Sequence, residues 1–460
     1  MRKQAFIALE SKTKVFQGNV LSLEEELVIR DSAYIAAEEV DSGLKQIYHL
    51  TDLIHCLEDL AEITGDITTP TITEANLINN ATDMAVAGTD VSPDDIAKEA
   101  IAGESIATEG FVETAKAIWE NIVKFLKTIW AKMGHFYRSV AKVFESAEAR
   151  LNIIKEKSAS LEGSKAENDI ELTSGLVFLS VDGKTITNED QLKRALNAYA
   201  FLVKFIYFMY MESTIKKGNA VIEALSKFAK GDIDGAIEHA WQGITNANED
   251  NPILSRIAKD PDKEVDDGKG GPKFRTMRSV GLLGNKTLVR KIQKQSNDHK
   301  ALVKLNLLSS VSGSELRLED TEGIEFTPEH KVTMPALTPK GIAYIVNECE
   351  TILKYIKDFD QGGLYNRVEE TMKEMARASK EASVSHKATD KPADDTGKEE
   401  ACYHELVKLN TAYAGWVRSP GIPLMQQSLS IVNTFIMVIQ KSIECYPVEM
   451  TAPTAIPGTA

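Results

Sequence analysis

Apolar side chains recur at helical spacing, three or four residues apart, along most of this chain. The longest pattern runs from about residue 111 to residue 159 and carries a broad aromatic stripe, which predicts one long amphipathic helix. Five further patterns predict helices at residues 20–63, 188–229, 232–246, 338–380 and 399–446, the last broken at Ser419-Pro420-Gly421.

Shorter stretches with turn residues at their ends predict a small β-rich part. Residues 171–187 predict strands joined by a hairpin turn at Asp182-Gly183. The polar sequence at 259–273 predicts a loop, and four segments near it predict strands, at residues 273–283, 302–308, 315–319 and 323–334. The expected fold class is therefore mainly α, with long amphipathic helices and a small β-rich insertion.

These elements divide the chain into five segments. The first, residues 1–109, begins as helix and continues from about residue 66 as a mobile connector rich in Thr, Pro, Gly and Asp. The others are a helical body with one β-hairpin (110–250), a β-rich insertion (251–337), a C-terminal helical region (338–446) with a polar linker at 385–400, and a flexible tail (447–460).

The charge is divided unevenly between these segments. The formal net charge of the 460 residues is −15. Residues 1–109 hold 7 Lys and Arg against 21 Asp and Glu, which leaves 46 against 47 for residues 110–460. Nearly all the acidity thus lies before residue 110, and such asymmetry indicates that the two parts do different jobs. An ordinary acidic, solvated domain is the plainer alternative.

Cysteine usage and hydropathy predict a soluble protein made inside a cell. Cys56, Cys349, Cys402 and Cys445 lie far apart without a CxxC pair, which argues against a zinc ribbon or a disulfide scaffold. The N-terminus lacks a secretory apolar region. The most apolar runs, residues 198–211 and 430–440, are too short or too interrupted for a membrane span.

The sequence has no motif that predicts catalysis, a metal, a cofactor or a small-molecule ligand. GLLGNKT (281–287) departs from the phosphate-loop spacing because Asn285 separates Gly284 from Lys286. His404-Glu405 begins like a metalloprotease helix, but position 408 is Lys rather than His. An enzyme of unrecognised type would need a deep pocket of convergent ionisable groups.

The predicted long helix has a basic face. Between residues 114 and 142 six basic residues stand against the single acidic Glu120. A face of this kind suits an anionic membrane or nucleic acid, but more often it is the solvated side of a core helix, and the aromatic stripe favours burial. The residues that define this face are Lys116, Trp119, Lys124, Lys127, Trp130, Lys132 and Arg138.

The step in charge coincides with Ala107-Thr108-Glu109-Gly110. A small residue, any residue and then Glu resembles the cut sites of the maturation proteases of phiKZ-like giant tailed phages. Other matches, such as Ala36-Ala37-Glu38, lie in predicted helices, and a protease needs an extended, accessible backbone. Ala102-Gly103-Glu104 is a secondary match in the same predicted connector.

EGFVETAKAIWENIVKFLKTIWAKM (109–133) also resembles the start of mature internal head proteins of those phages. The resemblance implies a virion structural protein, made as a precursor whose acidic propeptide, residues 1–109, is removed after Glu109 by the prohead protease. The mature body would lie in the phage head among capsid-interior or inner-body proteins. It would contact packaged DNA weakly and without specificity, and be ejected with it into the host cytoplasm, where synthesis also takes place. The resemblance brings no catalytic residues.

One alternative of another class remains open at this point. The chain would then be a cytoplasmic helical binding protein whose basic helix, residues 111–145, docks on a membrane or on a partner protein.

Overall fold

The computed structural model describes residues 35–45, 108–161, 166–249, 258–265, 274–293, 316–324, 331–361, 363–387 and 393–447, with Ile29, Lys304, Leu308 and Phe326. Of these residues, 75% are helical and 10% lie in strands. The prediction of a mainly α fold with a minor β part is confirmed. The predictions for residues 66–107 and for the tail after residue 447 lie outside the described residues.

Nine helices are used below to locate the side chains of the described part. They are residues 35–45 (α1), Thr108–Ala159 (α2), Glu189–Lys204 (α3), Met211–Phe228 (α4), Ile233–Glu249 (α5), Pro339–Gln361 (α6), Leu364–Lys387 (α7), Ala393–Arg418 (α8) and Gly421–Glu444 (α9).

Helix α2 confirms the longest helical prediction. Its apolar stripe is buried at every described position that the 3.6-residue period places inward: Ile129, Met133, Phe136, Val140, Val143, Phe144, Ala147, Leu151 and Ile154. The helix packs along α6. Two ion pairs join the exposed edges of these helices, Lys155–Glu350 at 2.8 Å and Lys357–Glu148 at 3.3 Å.

Helices α3 and α4 are joined by a π-helical segment, Phe205–Tyr210. The side chain of Asn188 caps the start of α3 by accepting hydrogen bonds from the amides of Asp190 and Gln191, as Asn does at many helix starts. Tyr207 and Tyr210 then donate hydrogen bonds to the carbonyl oxygens of Gly421 at 2.7 Å and Ser419 at 3.2 Å. These two phenols therefore anchor the α3–α4 rod to the turn between α8 and α9.

That turn confirms the predicted helix break, since α8 ends at Arg418 and α9 begins at Gly421, across a cis Ser419-Pro420 peptide. The expectation that no run is apolar enough to span a membrane needs correction. A window within Ala401–Glu444 passes that test by length and composition. However, 72% of the window is buried inside the protein, so packing against the other helices accounts for its apolar character.

The strands form two short antiparallel pairs and one sheet. β1 (Asp169–Leu172) pairs with β8 (Val332–Pro335), and β2 (Ser180–Val181) pairs with β3 (Lys184–Thr185). The predicted hairpin turn between β2 and β3 is confirmed. Asp182 and Gly183 both take positive φ, 49° and 79°, as a tight hairpin turn of this kind requires.

The sheet of the insertion has the order β4 (Ala258–Val265), β5 (Phe274–Ser279), β6 (Lys286–Gln293) and β7 (Leu316–Asp320), all antiparallel. The predicted loop at 259–273 is wrong in its first half, because β4 pairs with β5 through main-chain groups whatever its side chains are. The predicted strand at 302–308 is wrong at its two described residues, Lys304 and Leu308, which are helical.

Two boundaries in the C-terminal region also differ from the prediction. The pattern at 338–380 comprises two helices, α6 and α7, between which Gly363 takes a positive φ of 78°. Glycine adopts this conformation without a steric cost, so it suits a helix end. The linker predicted at 385–400 is shorter, since α7 continues to Lys387 and α8 begins at Ala393.

All these segments contribute to one hydrophobic cluster. Leu283, Leu288 and Leu316 of the insertion are buried in it, and so are Val40 and Leu44 of α1. The described part of the acidic N-terminal segment is therefore packed on the body.

Candidate functional site

The structure places the predicted processing junction at a helix start. Thr108, Glu109 and Gly110 form the first turn of α2, whereas the sequence predicted a helix only from about residue 111. Ala107 and the secondary match Ala102-Gly103-Glu104 lie outside the described residues. The first amides of a helix have no intrahelical partner and helix ends fray, so the Glu109–Gly110 bond lies in a turn that opens more easily than the helix interior.

The predicted basic face lies on α2, and the structure describes the outward side chains of its second half. Lys116, Trp119, Lys124, Lys127 and Trp130 have helical backbone, but their side chains are outside the described part. Lys132 forms an ion pair with Glu39 at 3.0 Å, and the exposed Arg138 donates to the carbonyl oxygen of Gly134 at 3.1 Å.

The inward side of the same stretch is core. The stripe from Ile129 to Phe144 is enclosed, so this half of the helix offers a membrane no apolar surface without unfolding. Here the structure agrees with the plainer interpretation, a core helix with a solvated basic side.

Helix α1 docks on the body through one face. Ala36, Ala37, Val40 and Leu44 are buried, and Glu38 on the opposite side is exposed. Two carboxylates flank this apolar face, and both reach cations of the body. Glu39 contacts Lys132 of α2, and Asp41 contacts Nη2 of Arg418 at the end of α8. The sequence predicted the helix but gave no indication of these partners.

A second feature that sequence reasoning missed is a buried lysine. Lys217 of α4 is 3% exposed, and its Nζ lies 4.7 Å from the ring centre of the buried Trp416. Burial, with a smaller contribution from nearby Arg290, lowers the pKa of Lys217 to about 7. Helical spacing is the one sequence pattern that indicates it, since Lys217 shares the inward face of α4 with Thr214 and Val221.

The two motif fragments have structural roles. In GLLGNKT, Gly284 and Asn285 take positive φ and lead into β6, and the Oδ1 of Asn285 accepts a hydrogen bond from the amide of Gly183 at 2.9 Å. His404 is buried within α8, and Lys408 contacts Glu405 at 3.2 Å.

With this geometry established, a comparison with protein families identifies the chain. The family of phiKZ-like phage internal head proteins matches residues 30–440. The chain belongs to that family. No curated protein and no solved structure matches it.

The family match confirms the resemblance suggested by residues 109–133 and extends it across the β-rich insertion and the C-terminal helices. This internal head protein is accordingly a structural protein of the virion interior.

In the described part of the internal head protein, a small apolar cleft lies between α2, α6 and α9. Tyr137, Phe144, Leu353 and Met425 line it. Glu148 and Lys357, which form an ion pair with each other, lie at its edge. Among the described residues no group of three His, Cys, Asp or Glu side chains has the arrangement of a metal site.

Proposed function

We propose that this internal head protein is made as a precursor and is cleaved between Glu109 and Gly110 by the phage head protease. Residues 110–460 then stay in the head with the packaged DNA and leave the virion with it. The acidic propeptide serves assembly and is removed when assembly is complete. Cleavage is irreversible, so it acts as a one-way step.

The observation that carries this proposal is that three boundaries fall within residues 108–110. The small-x-Glu pattern ends at Glu109, the acidic composition ends there, and α2 begins one residue earlier, at Thr108. A segment of net charge −14 opposes close approach to DNA, whereas residues 110–460 carry about −1. Its removal favours a place beside packed DNA.

Contact of the mature body with DNA is weak and non-specific under this proposal. Phosphate neutralisation supplies most of the affinity of non-specific binders, and the nearly neutral body has few cations in excess. Its partners in the head are the protease and other capsid-interior or inner-body proteins.

The test is intact mass and N-terminal sequencing of the protein recovered from purified virions. We expect a chain that begins at Gly110, with the sequence GFVETAK. A chain that begins at Ser105 would place the cut after Glu104, and a chain that begins at Met1 would refute processing.

A matched pair of variants sharpens the result. Glu109→Gln should block the cut because it removes the carboxylate that the protease requires, and Glu113→Gln, the same change four residues later, should leave the cut unchanged.

A cytoplasmic protein whose 111–145 helix docks on a membrane is less well supported, because its described apolar side, from Ile129 to Phe144, is enclosed. Co-sedimentation with anionic liposomes tests it. Strong, salt-sensitive binding of the full chain would favour this alternative.

A further inference from the structure

The buried face of α1 consists of apolar side chains that pack on the body. Its buried side chains are small apart from Val40 and Leu44, so the backbone of α1 lies close to the body. On the other side, Glu38 and Lys45 are exposed, and so is Ile35, which keeps 57% of its surface accessible. A helix with one narrow apolar face gains most of its stability from packing on its partner.

The charge contacts fix the position of α1 on the body more than they strengthen its binding. Asp41 reaches Arg418 through one oxygen, and its other oxygen, Oδ1, has no hydrogen bond to any described residue. The Nε of Arg418 is likewise unmatched within the described part of the chain. A half-satisfied pair of this kind gives specificity at little net gain in affinity.

How completely α1 occupies the surface on which it docks therefore depends on its covalent connection to the body. Within one chain, docking takes place at a high effective concentration, and a cut between the two partners turns it into an ordinary bimolecular equilibrium. The Glu109–Gly110 bond lies between α1 and the body that holds it.

We propose that α1 is a detachable cover. It occupies an apolar seat bordered by Lys132 and Arg418 in the precursor, and cleavage after Glu109 allows it to leave and uncovers that seat. This inference rests on the proposed processing, and it gives the processing a structural consequence, since an interaction surface on the mature body opens only after the cut. The occupant in the precursor is α1 itself, an acidic amphipathic helix.

The experiment uses the full chain with the recognition sequence of a site-specific protease inserted within residues 66–107. The chain is folded intact, cut, and analysed by sedimentation velocity at several concentrations. We expect the N-terminal fragment to stay with the body at concentrations on the order of 100 µM and to separate near 0.1 µM, as suits a contact of micromolar affinity. A fragment that never associates after the cut, or that stays bound at every concentration, would overturn the proposal.

Variants in α1 change the fragment and leave the body's sequence intact. Val40→Asp should abolish association because it places a carboxylate in the apolar seat. Asp41→Arg should weaken association about ten-fold or more, since it sets two cations against each other. Glu38→Arg makes the same change of charge on the exposed side and should leave association unchanged.

Arg418→Asp in the body should restore much of the association that Asp41→Arg loses. Equal effects of Asp41→Arg and Glu38→Arg would show that α1 is held by general charge and not in this seat.

The engineered cut also distinguishes the detachable cover from the proposed natural processing. If virion protein begins at Met1 while the engineered cut still releases α1, the cover exists and natural processing does not. If virion protein begins at Gly110 and α1 stays bound at every dilution, processing occurs and the detachable cover is wrong.

Discussion

Replacement of Lys217 by Met should make the protein more stable. The ammonium group lies inside the helical core, and no carboxylate forms an ion pair with it among the residues that the structure describes. Its Nζ lies over the face of the Trp416 ring, 4.7 Å from the ring centre. Methionine has a similar length and flexibility and no charge, so Lys217→Met keeps most of the packing and removes the desolvated cation.

The size of the effect follows from the pKa. A fall from the model-peptide value of 10.5 to about 7 corresponds to a cost of about 5 kcal/mol for keeping the proton in the folded state. We therefore expect Lys217→Met to raise the free energy of unfolding by up to about 5 kcal/mol at pH 6, where both folded and unfolded wild-type chains carry the proton.

The gain should shrink as the pH rises. Between pH 7 and 10.5 the unfolded chain still binds a proton that the folded chain has lost, so the wild-type protein becomes more stable relative to the variant. Above the unfolded pKa both chains are neutral at this position, and the cost is gone.

Urea unfolding of the full chain at pH 6 and pH 9.5, followed by circular dichroism, measures both quantities. Lys216→Met is the matched control, because it removes the same charge from the neighbouring exposed position of α4 and should change stability little. If Lys217→Met destabilised the protein at both pH values, the ammonium would have compensating interactions, and the reasoning would be refuted.

Three further predictions concern the packing around α3 and α4, and each is tested by the same unfolding assay. Gly218→Ala should cost about 1–3 kcal/mol of stability, because the added Cβ would lie 2.5 Å from Thr371 Cγ2 and 2.7 Å from Tyr413 Cε2. Asn219→Ala, on the exposed side of the same helix, is the control and should change stability little. Tyr207→Phe should cost roughly 1–2 kcal/mol of stability, since it removes the 2.7 Å hydrogen bond to Gly421. Tyr355→Phe, on a half-buried ring, is the control, and an equal loss of stability in both variants would contradict this prediction. Burial alone would raise the pKa of Glu189, but hydrogen bonds from Lys193 and Thr338 outweigh burial and lower the pKa. Glu189→Gln should therefore lower the free energy of unfolding at neutral pH. This effect should disappear as the pH falls through the lowered pKa.

Local patterns predicted the helices well because a helix is specified by residues close in sequence. The stripe of α2 and the turn at Asp182-Gly183 both follow from neighbouring residues and from the φ values those residue types accept. Strand β4 shows the limit of this reasoning. Its polar sequence favours a loop, and only the pairing with β5, which begins nine residues after β4 ends, makes it a strand.

The helical residues Lys304 and Leu308 show a second limit. A short apolar run such as LVKLNLL satisfies the strand pattern and the helix pattern equally, and tertiary packing decides between them.

The contacts that carry the functional argument were beyond any local pattern. Asp41 and Arg418 are 377 residues apart in sequence, and Lys217 lies against Trp416 across two helices of the core. A single sequence contains the residue types of such pairs but not their proximity. The small-x-Glu pattern has the opposite weakness, since it occurs at several places, and the charge step and the predicted connector are what single out Glu109.

The charge step at residue 110 takes on a second meaning in the folded protein. From sequence alone the acidic segment is expected either to repel DNA at a distance or to engage basic scaffold partners. In the structure two of its carboxylates, on Glu39 and Asp41, neutralise Lys132 and Arg418 at the seat of α1. Departure of α1 would leave both cations without these partners beside a newly exposed apolar seat. Under the proposed processing, the cut that removes the net negative charge would thus also make this face of the body locally more positive.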